Sequence, residues 1–191
     1  HKNHPEVEGT MGQFDTSYGG TITLIEDISD VEKLKFSESS KVAFVTQTTL
    51  SVDDTQELKD SLINKFPDII GPKKDDICYA TQNRQDAVKQ LALESDLVIV
   101  IGSENSSNSN RLREIAERSV VKAYLIDSVG DLPAECLEGK KRIGLTSGAS
   151  APEHLVTEVI DTLTKKYGFK LQGNRTRTDE GISFRLPKGL R

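Results

Sequence analysis

The sequence predicts an α/β protein made of two similar three-layer units with mainly parallel sheets. Strand-like apolar runs alternate with amphipathic helical patterns along most of the 191 residues, as in parallel sheets covered by helices. Residues 98–101 are four consecutive β-branched residues, which is typical of a strand buried on both faces. Three strand patterns also run through hydroxyl-rich loops into helices, at 44–54, 98–112 and 143–153. This recurrence indicates strands that share one direction.

The first unit is predicted to contain two short strands and two helices. Apolar and polar residues alternate at 21–25, which indicates a strand, and a second strand is expected at 41–46. One or two helical turns are predicted at 29–34, a segment that opens on a serine cap. A longer helix is expected at about 52–66, because its apolar residues recur on one face and Pro67 follows.

The second unit is predicted to alternate helices and strands more regularly. Its last helix has a proline in the first turn and an apolar stripe that includes Leu155, Val159 and Leu163. In chain order, the expected elements are a helix at 81–94, a strand from 97 to 101, a helix that begins near 108, strands at 123–126 and 143–145, and a helix at 152–167.

The boundary between the two units is predicted in the charged segment 68–76, which contains a Gly-Pro pair. The first domain then covers 1–77, the second covers 78–169, and a polar tail covers 170–191. We expect the tail to pack on a neighbouring domain, with a short strand at 182–184, and disorder is the alternative.

Composition and charge narrow the class of protein. With 35% hydrophobic and 29% charged residues, a net charge of -5 and a pI near 5.3, the chain is expected to be soluble, with no nucleic-acid partner. No run of about 18 apolar residues predicts a membrane span, and no signal-peptide pattern opens the chain. We therefore expect a cytoplasmic protein. Because the first residue is His1, the start is interpreted as a truncation.

The three strand-to-helix loops are the candidate ligand site. Ligands of open parallel sheets bind beyond the carboxyl ends of the strands, and helix N-termini favour anions. Loops rich in serine, threonine and asparagine therefore predict one polar, phosphate-sized ligand. The alternative is that these residues only cap helices, as they do in many α/β proteins.

The two cysteines, Cys78 and Cys136, match no C-x-x-C pattern, and a structural disulfide is not expected. Cys78 directly precedes a predicted helix, where a thiol is more easily deprotonated and can ligate a metal or act as a nucleophile. A small buried apolar residue is the equally weighted alternative. Cys136 is interpreted as an incidental thiol.

The first thirteen residues contain two histidines and two glutamates close together, at His1, His4, Glu6 and Glu8. Such a cluster could bind a metal ion or transfer protons. The spacing differs from the helical His-Glu-x-x-His pattern of zinc proteases, so it is weak evidence for zinc. A solvated, flexible terminus is the alternative.

Six runs of residues match the motifs of one family, in order and with similar gaps over nearly the whole chain. The chain thereby resembles the 4-hydroxy-3-methylbut-2-enyl diphosphate reductases of the non-mevalonate isoprenoid pathway. The matching runs are His-Pro-Glu-Val-Glu-Gly-Thr-Met-Gly-Gln at 4–13, Thr-Gln-Thr-Thr-Leu-Ser-Val-Asp-Asp at 46–54, Asp-Ile-Cys-Tyr-Ala-Thr at 76–81, Asn-Arg-Gln at 83–85, Gly102 with Asn-Ser-Ser-Asn-Ser-Asn-Arg-Leu at 105–112, and Gly-Ala-Ser-Ala-Pro at 148–152.

The resemblance implies a trefoil-like assembly of three α/β domains around an iron–sulfur cluster, of which this chain supplies the second and third domains and the tail. The implied enzyme is an oxidoreductase that removes an allylic hydroxyl group as water, in a two-electron reduction. Its products are isopentenyl diphosphate and dimethylallyl diphosphate.

The resemblance also implies roles for individual residues. Cys78 would ligate a [4Fe-4S] cluster, and Glu6 would be the catalytic proton donor, with Thr48 as its partner near the substrate hydroxyl group. The residues implied to bind the substrate are His4, Thr48, Ser106, Ser107, Asn108 and Ser150.

The chain departs from this family in its cluster ligands. The family has three cluster cysteines, and two would lie in an N-terminal domain before His1, so only Cys78 stands at a ligand position. The isolated chain is therefore expected to be inactive. Expected partners are the diphosphate substrate, the missing N-terminal domain and a redox donor such as ferredoxin or flavodoxin. The alternative function is a non-catalytic α/β module that binds a phosphorylated small molecule.

Overall fold

Helices and strands alternate along the part of the chain that the computed structural model describes, which is residues 1–37, 40–119, 121–172, 183 and 185–190. The α-helices are α1 (Pro5–Gln13), α2 (Ile28–Lys33), α3 (Val52–Lys65), α4 (Tyr79–Leu93), α5 (Ser107–Arg118) and α6 (Glu153–Lys165). The strands are β1 (Leu97–Ile101), β2 (Ala123–Ile126) and β3 (Ile143–Ser147). Single 3-10 turns lie at Thr16–Tyr18, Val129–Asp131, Ala134–Leu137 and Lys188–Leu190.

The three strands form one parallel sheet in the order β2-β1-β3. The strand with the continuous β-branched run therefore lies at the centre. Ile99 pairs with Tyr124 on one side and with Leu145 on the other. The α/β class with a parallel sheet, predicted from the alternation of patterns, is confirmed.

Both faces of the sheet are covered, because all five residues of β1 are buried. Val98 and Val100 pack in a cluster with α4 and α5, whereas Leu97, Ile99 and Ile101 pack in a second cluster with α6. Alternate side chains of a strand point to opposite faces, so one apolar strand supplies both cores. This gives the three layers predicted for the second unit.

The predicted helices are present, with small shifts at their N-termini. The helix predicted at 81–94 begins earlier, at Tyr79, and the one predicted near 108 begins at Ser107 with Ser106 as its N-cap. The short helix is capped by Asp27 rather than Ser29. Pro152 occupies the N-cap position of α6. Asp27 and Ser106 each accept a hydrogen bond from a backbone N–H of the first turn. Because each lies one or two residues before the predicted start, the helix begins earlier than predicted.

The first half of the chain differs from the prediction in its strands. The segments 21–25 and 41–46 are not assigned as strands, and a single parallel bridge joins Ala43 to Ile70. Two backbone hydrogen bonds form it, from Phe44 N–H to the Ile70 carbonyl and from Ile70 N–H to the Val42 carbonyl, both 2.9 Å. Alternation predicts an extended backbone, but a strand also requires a partner with which to form a ladder.

Helix α3 joins the first half to the helices of the second. Its N-terminal Asp54 accepts two hydrogen bonds from the Arg118 guanidinium of α5, at 2.7 and 3.0 Å. Its neighbour Asp53 pairs with Lys89 of α4 at 2.8 Å. Carboxylates at a helix N-terminus are also favoured by the helix dipole. The two halves are therefore linked by ion pairs at one end of α3.

The strand expected at 182–184 lies mostly outside the described residues, and the domain limits at 77 and 169 remain predictions. None of the helices in the described part of the chain combines the length and apolar character needed to cross a membrane.

Candidate active site

His4 connects the first helix to the serine-rich turn of the second half. It occupies the N-cap of α1, where its Nδ1 accepts a hydrogen bond from the Glu6 N–H at 3.2 Å. Because Nδ1 is an acceptor, the neutral ring carries its proton on Nε2. That Nε2–H donates to the Ser107 hydroxyl oxygen at 2.7 Å. Residues that are 103 positions apart in sequence are thus in direct contact.

Two further hydrogen bonds link Glu6 to Thr48 and Thr48 to Cys78. The Thr48 backbone N–H donates to the Glu6 carboxylate at 2.9 Å, and the Cys78 backbone N–H donates to the Thr48 carbonyl at 3.0 Å. A hydrogen-bonded series therefore runs from Ser107 through His4, Glu6 and Thr48 to Cys78. We call these five residues the polar relay.

The Cys78 thiol is placed where a ligand could reach it. Cys78 is the N-cap of α4, it is exposed, and its side chain makes no capping hydrogen bond. A side chain at this position lies beside the free N–H groups of the first helical turn. A thiol with these properties can act as a metal ligand.

The first turn of α5 has the form of an anion site. Ser106 caps the helix by accepting the Ser109 N–H at 3.3 Å. Asn108 is buried, and neither its amide nitrogen nor its amide oxygen finds a hydrogen-bond partner among the residues that the structure describes. A buried amide without partners is costly, and a bound ligand could satisfy it. The remaining free N–H groups of the turn favour negative charge.

Two glycines allow this turn to lie against the ends of β1 and β3. A Cβ atom on Gly102, after β1, or on Gly148, after β3, would collide with the Ser109 hydroxyl. Ser109 is fully buried, and within the described ranges its hydroxyl has no hydrogen-bond partner. The helix can approach the sheet this closely only because both strand ends carry glycine.

Ser150 lies two residues after Gly148 and is exposed. A Cβ on Gly148 would lie 3.8 Å from the Asn108 amide nitrogen, so the loop that carries Ser150 lies beside the first turn of α5. The carboxyl ends of β1 and β3 thus bring 106–109 and 148–151 to one edge of the sheet.

A cavity of about 310 Å³ opens beside the His4–Ser107 contact. Cys78, Thr48 and Ser150 do not line it, so it covers only one side of the polar relay. Its lining residues are His1, Lys2, Asn3, His4, Pro5, Thr49, Glu104, Asn105, Ser107, Asn110, Arg111 and Glu114.

The described residues supply only part of the donor set of an iron–sulfur cluster. Among them, no three or more His, Cys, Asp or Glu side chains are grouped so that they could hold a metal ion. A [4Fe-4S] cluster needs about three thiolates even when one iron is left open. Cys136 is buried in the α6-side core, away from the helix that Cys78 begins. Cys78 therefore fits as one ligand, but this part of the chain alone does not fit a whole cluster.

The pKa values of Cys136 and Asp54 are shifted from their usual ranges. Burial raises the pKa of the Cys136 thiol, which keeps it in the unreactive neutral form. Hydrogen bonds from Arg118 lower the pKa of Asp54 below its usual range, although partial burial opposes the shift. Asp54 is thus an ionised link between the two halves.

Three residues that shape the site lie within the matching motifs but were given no role from the sequence. Gln85 and Ser109 are buried polar residues on α4 and α5, and Gly148 is the close-approach glycine of the third loop. The glutamine in the otherwise amphipathic pattern of α4 was the available signal for a buried polar contact. The roles implied for the eight site residues remain predictions.

Comparison with known proteins places the chain among close relatives. The family model described as LytB protein matches residues 1–164. A 4-hydroxy-3-methylbut-2-enyl diphosphate reductase from Saccharophagus degradans is 61% identical over 191 residues, which is 100% of this chain and 61% of that protein. The reductase of the same name from Alcanivorax borkumensis is 60% identical over the same length, again 61% of that protein.

A solved structure supports the same relationship. The E-1-hydroxy-2-methyl-but-2-enyl-4-diphosphate reductase from Plasmodium falciparum has a TM-score of 0.87 and 37% identity, and the match covers 99% of this chain and 58% of that chain. The chain therefore spans about 60% of the length of the relatives that it matches.

Proposed function

The chain belongs to the LytB protein family, and on that premise we propose that it forms part of a 4-hydroxy-3-methylbut-2-enyl diphosphate reductase. The family is one of iron–sulfur enzymes that act on a diphosphate substrate. The observation that carries the proposal is the polar relay, which connects the Cys78 backbone to the first turn of α5. We further propose that the enzyme works in the cytoplasm.

The diphosphate is proposed to bind at the carboxyl edge of the sheet. The free N–H groups of α5, together with Ser106, Ser107 and Asn108, offer neutral hydrogen bonds to an anion. Ser150 approaches from the neighbouring loop, and His4 joins the shell through its contact with Ser107. Neutral donors suit a substrate whose diphosphate product must leave after each turnover.

Glu6 is proposed to deliver the proton that lets the hydroxyl group leave as water. The Thr48 N–H holds its carboxylate in place at 2.9 Å, on the Cys78 side of the relay. The reaction breaks the allylic C–O bond and forms a C–H bond, so it consumes two electrons and two protons. A carboxyl group beside the leaving oxygen is a suitable general acid for this step.

A [4Fe-4S] cluster, when bound, supplies the two electrons that it receives from a donor such as ferredoxin or flavodoxin. Cys78 is proposed to provide one of its three thiolate ligands. The other two are proposed to come from an N-terminal domain that this chain does not contain. We therefore expect the 191 residues alone to bind no stable cluster and to be inactive.

The experiment joins an N-terminal domain with two cysteines to this chain and measures iron content, diphosphate binding and turnover. We expect the joined protein to bind the cluster and to reduce the substrate. Cys78→Ser should lose iron, and Cys136→Ser should behave as the wild type. Glu6→Gln should keep iron and diphosphate binding but lose about 10²- to 10⁴-fold in kcat, because only proton delivery is removed.

Two results would overturn the proposal. One is full iron content in the Cys78→Ser protein, and the other is full activity in the Glu6→Gln protein. A joined protein that binds inorganic diphosphate but stays colourless would instead favour the non-catalytic phosphate-binding module.

A further inference from the structure

Gln85 is a buried polar residue whose side chain forms hydrogen bonds with one loop. It lies on α4, two helical turns after Cys78, and only 1% of its surface is exposed. Its amide nitrogen donates to the Leu50 carbonyl at 2.8 Å, and its amide oxygen accepts the Val52 N–H at 3.0 Å. Both ends of the amide are therefore bonded to backbone atoms of the segment that leads into α3.

This segment is irregular backbone, and it carries Thr48. Residues 47–51 lie between the bridge at Ala43 and the start of α3 and belong to no helix or strand. The Cys78 N–H holds the loop at the Thr48 carbonyl, and the Gln85 amide holds it two to four residues further on. The loop is therefore fastened to α4 at two points, one at the end of the helix and one within it.

We propose that Gln85 is a positioning residue, which fixes the Thr48 loop to the helix that begins at Cys78. Through the Thr48 N–H, it thereby sets where the Glu6 carboxylate lies relative to Cys78. This inference rests on the proposed function, because it assigns the proton donor and the cluster ligand to those two residues. Gln85 itself touches neither the substrate nor a reacting atom.

The chemistry of the contact requires an amide. Glutamine presents one donor and one acceptor at the same end, which matches a backbone carbonyl and a backbone N–H. Methionine has a similar length but neither group, and an ionised glutamate has only acceptors. Because the site is buried, an unmatched Leu50 carbonyl or Val52 N–H would be left without a partner. Gln85→Met and Gln85→Glu therefore test the hydrogen bonds with little change of volume.

The first test measures amide hydrogen exchange in the 191-residue chain. In Gln85→Met we expect exchange at Val52 and Thr48 to be at least about tenfold faster, since local opening becomes easier. Gln85→Glu provides a second variant: its carboxylate can still accept the Val52 N–H but, when ionised, cannot donate to the Leu50 carbonyl, so exchange at both amides should rise less than in Gln85→Met. Gln56→Met is the matched control, because Gln56 is exposed on α3 and donates to Asp60, on the same helix, at 2.8 Å. It should leave both amides unchanged.

The second test measures kcat and KM in the joined protein described above. If Gln85 positions the proton donor, Gln85→Met should lower kcat on the order of ten- to a hundredfold, because a displacement of about 1 Å at a catalytic group can have that effect. KM for the substrate should stay within about twofold, because the diphosphate contacts lie on α5 and in the loop at 148–151. A purely structural role would lower the amount of folded protein and leave kcat per folded molecule unchanged.

The outcomes separate this inference from the proposed function. Unchanged exchange at Thr48, or a rise in KM with unchanged kcat, would overturn the positioning role even if the protein is an active reductase. An inactive wild-type joined protein would instead contradict the proposed function. The exchange data would still decide whether Gln85 holds the loop.

Discussion

The two halves of the molecule hold their functional residues in different ways. In the second half, a parallel strand with all five residues buried anchors the turns that carry Ser106 to Asn108 and Ser150. In the first half, His4, Glu6 and Thr48 lie on short or irregular segments. Individual hydrogen bonds hold them: Glu6 to Thr48, and across to the second half His4 to Ser107 and Thr48 to Cys78. The exposed fractions of Ile99, 0%, and Ile70, 61%, illustrate the contrast.

The proposed diphosphate site and the proposed proton donor therefore depend on different forces. Apolar packing positions the first, so substitutions there should change the stability of the fold. Individual polar contacts position the second, so substitutions there should change local order and catalysis first.

The largest expected effect comes from truncating the core. Ile99→Ala should lower the free energy of unfolding by about 2–5 kcal/mol, because it removes a fully buried side chain between two packed layers. Ile70→Ala, on the bridged segment of the first half, should change it by less than about 0.5 kcal/mol. Urea denaturation followed by circular dichroism measures both. Equal destabilisation by the two substitutions would contradict the contrast between the halves.

The glycine contacts give the next largest effect. Gly148→Ala should destabilise the fold by about 1–3 kcal/mol, because the new methyl group collides with the Ser109 hydroxyl. Adding Ser109→Ala should restore most of this loss, since the remaining Ser109 Cβ would lie at an ordinary 3.5 Å.

Gly102 provides the matched control for this pair. There the Ser109 Cβ itself would lie at 2.9 Å, which is too close, and the φ of 158° disfavours any side chain, so Ser109→Ala should not rescue Gly102→Ala. Thermal unfolding of the single and double variants decides the point. Failure of Ser109→Ala to rescue Gly148→Ala would show that the hydroxyl group is not the obstacle there.

A smaller effect is expected for the ion pair between the halves. Asp54→Asn should cost up to about 1 kcal/mol, because both side chains are about half exposed and the pair is screened by solvent. The folded-state pKa of Asp54 is lowered, mainly by Arg118. Its contribution should therefore be complete above the unfolded value near pH 4 and disappear as the pH falls through the lower folded value.

The measurement is the stability difference between wild type and Asp54→Asn from pH 7 down to about pH 2. We expect this difference to shrink towards the acidic end. A difference that grows as the pH falls would contradict the assignment. Asp60→Asn, on the exposed face of α3, serves as the control.

The sequence alone was sufficient to locate the helices and strands whose signals are local. Apolar stripes and flanking caps placed all the helices of the second half within two residues, and the β-branched run located the central strand. The strand predicted at 21–25 is absent because alternation reports a period and carries no information about a partner. Contacts such as Gln85 with Leu50, or Ser109 between two glycines, join residues distant in sequence, so no local pattern predicts the partner.

The candidate site was predictable mainly through motifs. Family resemblance selected His4, Glu6, Thr48, Cys78 and Ser107, and these residues form a continuous hydrogen-bonded series in the structure. Residue types alone left a flexible terminus, and a small buried apolar residue in the case of Cys78, as alternatives. Backbone contacts at Thr48 and Cys78 decide their proximity, and such contacts depend on the tertiary fold.

The most direct measurement of the central claim is backbone amide NMR of this chain during titration with inorganic diphosphate. We expect chemical-shift changes concentrated at 106–109 and 148–151, with smaller changes near His4. Ser107→Ala should weaken these changes, and Lys73→Ala, at an exposed basic residue elsewhere, should not. Changes confined to the basic segments at 73–74 and 140–142, or no changes at all, would contradict a diphosphate site at the carboxyl edge of the sheet.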